Sequence, residues 1–418
     1  MPDEVSDSRR PGAAAGSPLK PRRWLRRRLI VALVGALTAG AAWAAVGAAP
    51  AASAAEPSRW RQVAVSSEHS CGIKVDGSLW CWGNNTSGEL GLGMESFTPA
   101  PDDTRDPGDR FAPTRVGASR SWASVAVGNS FSCALNTGGT RYCWGSNYRG
   151  QLGFGDTTDS SLPRRVSGEA RWASLSLGGH TGCGIQLTGT LWCWGSNAYG
   201  QLGVGDTEDR LSPTRLTGAT SWGAVDLGSE SACATYTSGR RHCWGRNDSG
   251  QLGLGDTTDR TEPRRVLGEA TWATVSAGRQ HGCGLRPDGT RACWGGNGNG
   301  ELGLGDVTNR LRPTDADAGW IAIAAGARST CGIGTDRFVW CWGSNAAGQL
   351  GIGSADHDAF HTESVRLGIT GSSLALGDAM ACAIDSDGFL YCWGSNASGA
   401  IGTGTRGGMF LEPQLILG

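Results

Sequence analysis

The residues with the plainest capacity for chemistry are fourteen cysteines, and they fall in pairs: Cys71 and Cys81, Cys133 and Cys143, Cys183 and Cys193, Cys233 and Cys243, Cys283 and Cys293, Cys331 and Cys341, Cys382 and Cys392. Nine residues separate the members of every pair. Zinc sites use much shorter spacings and usually enlist histidine, and neither feature recurs here. Two other readings remain: free thiols packed as small apolar groups, and disulfides. The even count, the strict pairing and an export segment favour disulfides.

Other side-chain chemistry is thin. His69, His180, His242, His281, His357 and His361 lie beside no Ser or Cys nucleophile motif. A Gly-Asp-x-x-Asp loop recurs at Asp156 and Asp159, Asp206 and Asp209, and Asp256 and Asp259, with Asp306 and Asn309 continuing it. Two carboxylates per loop, with Arg210 and Arg260 close by, supply too few oxygens for calcium. Asx-turns and caps explain them with less. No Gly-rich phosphate loop opens a helix. The expectation is a protein that binds and does not catalyse, with no metal and no cofactor.

The elements that must position the cysteines repeat with them. Successive pairs begin 62, 50, 50, 50, 48 and 51 residues apart, a period typical of propellers and solenoids. Each unit opens with Trp at 60, 122, 172, 222, 272 and 320, with Gly371 in that place in copy seven. The return strand carrying the second Cys ends in Cys-Trp-Gly-x-Asn, then a loop such as Gly150 to Gly153 and a Pro-started strand such as Pro163 to Val166. Four short strands per unit, with no room for a helix, predict an all-β, seven-bladed β-propeller of four-stranded blades. The recurrent Trp are expected to pack in its core.

Hairpin geometry then places the sulfurs. With Val75, Asp76 and left-handed Gly77 as the loop, Lys74 faces Ser78 and Cys71 faces Cys81 in a close, non-hydrogen-bonded pair. The result is one disulfide per blade hairpin. Arg337 replaces the loop Gly in copy six, so a different turn is expected there.

Composition agrees with short strands and many turns: Gly counts 68 of 418 residues and charged residues 18%. The chain divides into 1–55, basic and then apolar, and 56–418, the seven repeats. Arg22 to Arg28 precede an uncharged stretch from Leu29 to Ala55 that ends in small residues, the pattern of an export signal, either cleaved or kept as a membrane anchor. Beyond residue 55 there are 29 basic against 35 acidic residues, which argues against a nucleic-acid partner.

The unit Trp-Gly-x-Asn-x-x-Gly-Gln-Leu-Gly, preceded by a Gly-bounded turn and an Asp-Gly hairpin, resembles the regulator of chromosome condensation repeat over residues 60 to 418. That resemblance implies a seven-bladed propeller. The family's eukaryotic founder is a guanine-nucleotide exchange factor on chromatin, while a secreted bacterial member inhibits β-lactamases. The export signal and acidic repeats fit an exported bacterial member better than a nuclear one. The expectation is a secreted or cell-envelope, monomeric scaffold that binds a protein or a cell-envelope glycan, with inhibition of an extracellular enzyme as the alternative and nucleotide exchange behind both.

Recognition positions differ between copies while a framework repeats. The four-residue turns before each first Cys vary most, marking Glu68, His69, Phe131, His180, Glu230, Arg279, His281, Arg328, Asp378 and Met380; Tyr148 and Tyr199 join from neighbouring loops. Alternating strand direction puts these turns and the post-Trp-Gly loops on one face. The insertion around Met94 to Asp106 is expected to add a flap there. Ring closure is expected from pairing of the first Trp strand, Trp60 to Val65, with the last Pro strand, Pro413 to Leu417.

Overall fold

The computed structural model describes residues 58–93 and 108–418, apart from 167, 169, 219, 220, 269, 270 and 356–359. The segment expected to be an export signal and the expected Met94 to Asp106 flap lie outside the described residues. The rest is a seven-bladed β-propeller of antiparallel four-stranded sheets.

Blade one shows the rule. Strand β1 (Trp60–Val65) pairs with β2 (His69–Lys74), β2 with β3 (Leu79–Gly83), and β3 with β4 (Arg110–Arg115). The first strands of successive blades ring the axis, and the Pro-bearing fourth strands form the rim. A proline on an outer edge sacrifices no ladder hydrogen bond.

The hairpin register is the one the spacing demands. Lys74 and Ser78 close a three-residue loop, Gly77 has φ +80°, and Cys71 lies opposite Cys81. All seven pairs are disulfide-bonded with Cα atoms 4.1 Å apart, and no described cysteine is free. Copy six keeps the same turn. Arg337 itself takes φ +68° and donates its backbone N–H to Gly334, while the Asp336 side chain accepts from the Phe338 N–H. The expected different turn is therefore corrected: tertiary context holds a non-glycine residue in the left-handed region, at about 1–2 kcal/mol.

Ring closure is corrected as well. Every blade is built from one contiguous repeat, so β1 pairs only with β2, and the last strand, Met409–Leu415, completes blade seven. Sequence proximity of a Pro strand to the next Trp strand misleads, because the connection runs from the rim of one blade to the axis of the next. Blades are joined by side chains and close backbone contact. The buried indole N–H of Trp144 donates to the Glu89 carbonyl of the preceding blade at 2.8 Å, Trp194 to Gln151, Trp244 to Gln201 and Trp294 to Gln251. Trp342 and Trp393 do the same toward Glu301 and Gln349. Trp82 to Ala400 closes the circle with the same bond, beside a shared cluster of Trp60, Val63, Val65, Ile384, Ile401 and Ile416. Around the axis a Cβ on Gly178 would lie 2.0 Å from the Gly228 carbonyl, and one on Gly377 would lie 2.3 Å from that of Ser66. Only glycine permits that approach.

Candidate partner-binding face

The turns between first and second strands and the loops after each Trp-Gly meet on one face of the disc. They are stitched by a bond that recurs in each blade: Asn84 N–H to the Glu68 carbonyl, Ser146 to Ser130, Ser196 to His180, Arg246 to Glu230, Gly296 to Gln280, Ser344 to Arg328 and Ser395 to Ala379, all 2.7–3.0 Å. The hairpin turns sit on the opposite face.

The Asn of Cys-Trp-Gly-x-Asn frames each loop. Asn147, fully buried, accepts the Leu152 N–H and donates to the carbonyls of Asp156 and Thr158. Asp159 accepts the Asn147 N–H, and Asp156 accepts that of Thr158. The repeated carboxylates are thus spent on turn structure, and in three copies an Arg four residues on, as in Arg260–Asp256 at 2.6 Å, pairs with the first of them. Among the described residues no group of three or more His, Cys, Asp or Glu is arranged to hold a metal.

The turn residues divide by strand geometry. Four of those expected to face a partner are inside: His69, Phe131, His281 and Met380 are at most 2% exposed. Each is the first residue of a second strand, so its side chain points between blades and not outward. His69 Nε2 bonds Ser132 of blade two, and His281 Nε2 bonds Thr330 of blade six, both at 2.8 Å. Burial pushes the imidazoles down, His69 to about 3 and His281 to about 4. These four residues are blade-to-blade packing. Arg279, Arg328 and Asp378 are exposed, and Glu68, His180 and Glu230 are half-buried on the turns.

Loops of blades two to four bring together what remains. The Tyr148 hydroxyl shares a 3.0 Å hydrogen bond with His180 Nε2, and the rings meet edge-on at 5.2 Å. Burial and the neighbouring Arg149 hold the His180 imidazole below its ordinary value. Arg149 also reaches Asp209 of the next blade at 3.2 Å. Arg246 lies 5.0 Å from the centre of the Tyr199 ring and bonds Glu230 at 2.5 Å and Asp248 at 2.6 Å, which raises its affinity for its proton. The sequence singled out neither Arg149 nor Arg246, and it marked Asp209 as a loop carboxylate without its contact to Arg149. The signal was there, since Arg149 and Arg246 occupy variable places in the Trp-Gly-x-Asn-x-x-Gly segment. At the places of Tyr148 and Tyr199, blades five to seven carry Gly298 and Asn299, Ala346 and Ala347, and Ala397 and Ser398.

The model of the RCC1-like domain matches residues 35–317, more than half of the chain, and that of the regulator of chromosome condensation (RCC1) repeat matches residues 320–349. The chain belongs to the RCC1-like family. Individual RCC1-like relatives match over shorter stretches. The probable E3 ubiquitin-protein ligase HERC3 of Homo sapiens is 35% identical over 100 residues, 23% of this chain and 8% of that protein. The protein RCC2 homolog of Danio rerio is 35% identical over 94 residues, 22% of this chain and 17% of that protein. The chain thus matches less than a fifth of the length of either relative. Among solved RCC1-like structures, Prp20p of Saccharomyces cerevisiae superposes with a TM-score of 0.72 at 20% identity, over 83% of this chain and 87% of that one. Human WBSCR16 gives 0.72 at 21%, over 82% and 94%. At that identity the likeness is one of fold.

Proposed function

We propose that this propeller is a non-enzymatic scaffold that binds a protein through the loops of blades two to four, in a secreted or cell-envelope setting in a bacterium. The observation that carries this reading is the asymmetry of the face. On a frame that repeats seven times, Tyr148, His180, Arg149, Tyr199, Glu230 and Arg246 cluster on adjacent loops, while blades five to seven carry small residues there. Half-exposed Tyr and Arg held in place by neighbours are the usual carriers of binding energy, because little side-chain freedom is lost on docking. Seven disulfides support an oxidising compartment.

The test is capture of partners from culture fluid and envelope extracts by the full chain, followed by substitution. Tyr148→Ala, Tyr199→Ala and Arg246→Ala are expected to weaken binding of a captured protein tenfold or more, about 1.4 kcal/mol. Asp76→Ala and Asp288→Ala, on the hairpin face, are expected to leave it unchanged. The reverse pattern overturns the face assignment. A captured extracellular enzyme that loses activity in the complex identifies the chain as its inhibitor; a captured glycan in place of a protein refutes the class of partner. Alkylation trapping in the producing cell that finds free cysteines refutes the compartment.

A further inference from the structure

The contact between blades four and five departs from the other blade interfaces. Two places face the Trp of the next blade: the first is Ile or Leu in the six copies other than blade four, and the second is Leu or Val in four copies and Arg in blades two, four and five. Ile73 and Leu79 thus pack on Trp122 and Val125, and Ile185 and Leu191 on Trp222. Blade four carries Thr235 and Arg241 in those two places, opposite Trp272 and Val275. It also carries Asp226 where the other copies have Ala64, Ala126, Ser176, Ser276, Ala324 and Ala375. A cavity of about 360 Å³ results, walled by Asp226, Thr235, Arg241, Trp272 and Val275. Its rim, at Gly223, Thr237 and Thr274, is exposed and lies toward the hairpin turns, away from the loops proposed to bind a partner.

The polar groups in this cavity are not used up by the fold. Arg241 is 3% exposed, its Nε donates to the Cys243 sulfur at 3.3 Å, and its Nη2 has no partner. Asp226 accepts the Ala277 N–H through Oδ2 at 2.5 Å, the bond that Ser176 and Ser276 make with a hydroxyl in other blades. A hydroxyl suffices for that bond, so the carboxylate charge acts on the fold only through its attraction to Arg241 across the cavity. Asp226 and Arg241 form no direct ion pair, whereas Arg291, the equivalent residue in blade five, meets Asp317 at 2.7 Å. Burial pushes the Asp226 carboxyl up to about 6 and the Arg241 guanidinium down to about 9. Both are therefore ionised at pH 7.5. A separated pair of opposite charges, Arg241 buried and Asp226 half-buried at the cavity wall, is costly to the fold and is compensated by a group that bridges it.

We propose that this cavity is a binding site for a small zwitterion of free amino-acid size. Its carboxylate sits on the Arg241 guanidinium, its ammonium group on Asp226, and its apolar part against Trp272 and Val275. A guanidinium favours a carboxylate through parallel, charge-assisted hydrogen bonds. A pair of fixed charges summing to zero selects a ligand that is itself neutral overall but charged at both ends. The volume lies at the small end of ligand pockets.

The test is thermal unfolding of the full chain at pH 7.5 with each proteinogenic L-amino acid at about 10 mM, with acetate and methylammonium as controls bearing one charge each. At roughly a hundred times the dissociation constant a ligand raises the midpoint by about 3 °C in a unit of this size. At least one amino acid is expected to do so, and neither control. Arg241→Leu and Asp226→Ala are each expected to weaken that ligand at least tenfold. Thr235→Ile, which installs the residue of four other copies, is expected to abolish the response while raising the midpoint of the free protein, so loss of binding is not loss of fold. The proposal fails if no amino acid exceeds the controls, if Thr235→Ile still responds, or if Asp226→Ala binds as well as the parent, which would mark a site for simple anions.

Discussion

Glu89 stands where four other copies carry Gln151, Gln201, Gln251 and Gln349, and the substitution Glu89→Gln measures what that difference costs. The side chain is 1% exposed. Oε2 accepts the Ser87 N–H at 2.7 Å, while Oε1 is buried without a partner. Burial, with Glu68 and Asp109 adding to it, pushes the carboxyl up from 4.5 to about 7. The folded state then holds a proton that the unfolded chain releases between pH 4.5 and 7, so stability falls as pH rises through that window and the whole loss is present above it. A shift of that size, at about 1.4 kcal/mol per pH unit, amounts to about 3 kcal/mol. Gln keeps the bond to the loop, since Gln151 accepts the Arg149 N–H at 2.8 Å, and it leaves an unpartnered amide where Glu89 has an unpartnered oxygen. Glu89→Gln is therefore expected to stabilise the ring by about 3 kcal/mol at pH 8, or about 4 °C for a cooperative unit of this size, and to match the parent near pH 4. Melting both proteins by calorimetry from pH 4 to 8 checks this. A difference that stays flat across that range, or a variant less stable at pH 8, refutes the assignment of the buried proton to Glu89.

Arg141 is 1% exposed with no carboxylate partner; its guanidinium lies 4.0 Å from the Trp194 ring centre and makes one bond, to the Gly153 carbonyl at 3.3 Å. A cation–π contact of about 2 kcal/mol offsets only part of burying that charge, so Arg141→Leu, the residue of three other copies, is expected to raise stability by about 1–2 kcal/mol in chemical denaturation. Arg337→Gly relieves the positive φ at a small cost in unfolded-chain entropy and is expected to add about 0.5–1 kcal/mol, read as a shift in denaturation midpoint at constant slope. Non-reduced peptide mapping is expected to recover each bridge within one hairpin, as Cys183 to Cys193, with none between repeats. Replacing both cysteines of one pair by Ala is expected to cost no more than about 2–3 kcal/mol, because each bridge closes a short loop.

The fold and the candidate site were legible in the sequence to different depths, and the boundary follows the range of the forces involved. A nine-residue gap and a loop glycine specify a hairpin register locally, so the seven disulfides, the four strands per blade and the alternation of faces could be read from spacing alone. Period and count then set the number of blades. Strand neighbours across a linker are not set that way: whether β4 pairs with the next Trp strand depends on which edge is covered in the ring, and the ring assigns each repeat to its own sheet. The turns before the first cysteines show the same limit. Their variability was visible, but His69, Phe131, His281 and Met380 turn inward because the strand has already begun at those positions. Arg337 holds a glycine's conformation because the closed hairpin around it imposes the turn. What the sequence by itself determined was the strand register and the bridge of each hairpin and, through the repeat, the number of blades. Which residues of different repeats meet, at the blade two to four loops and in the Asp226 and Arg241 cavity, was decided by closure of the circle, since only that brings positions about fifty residues apart into contact.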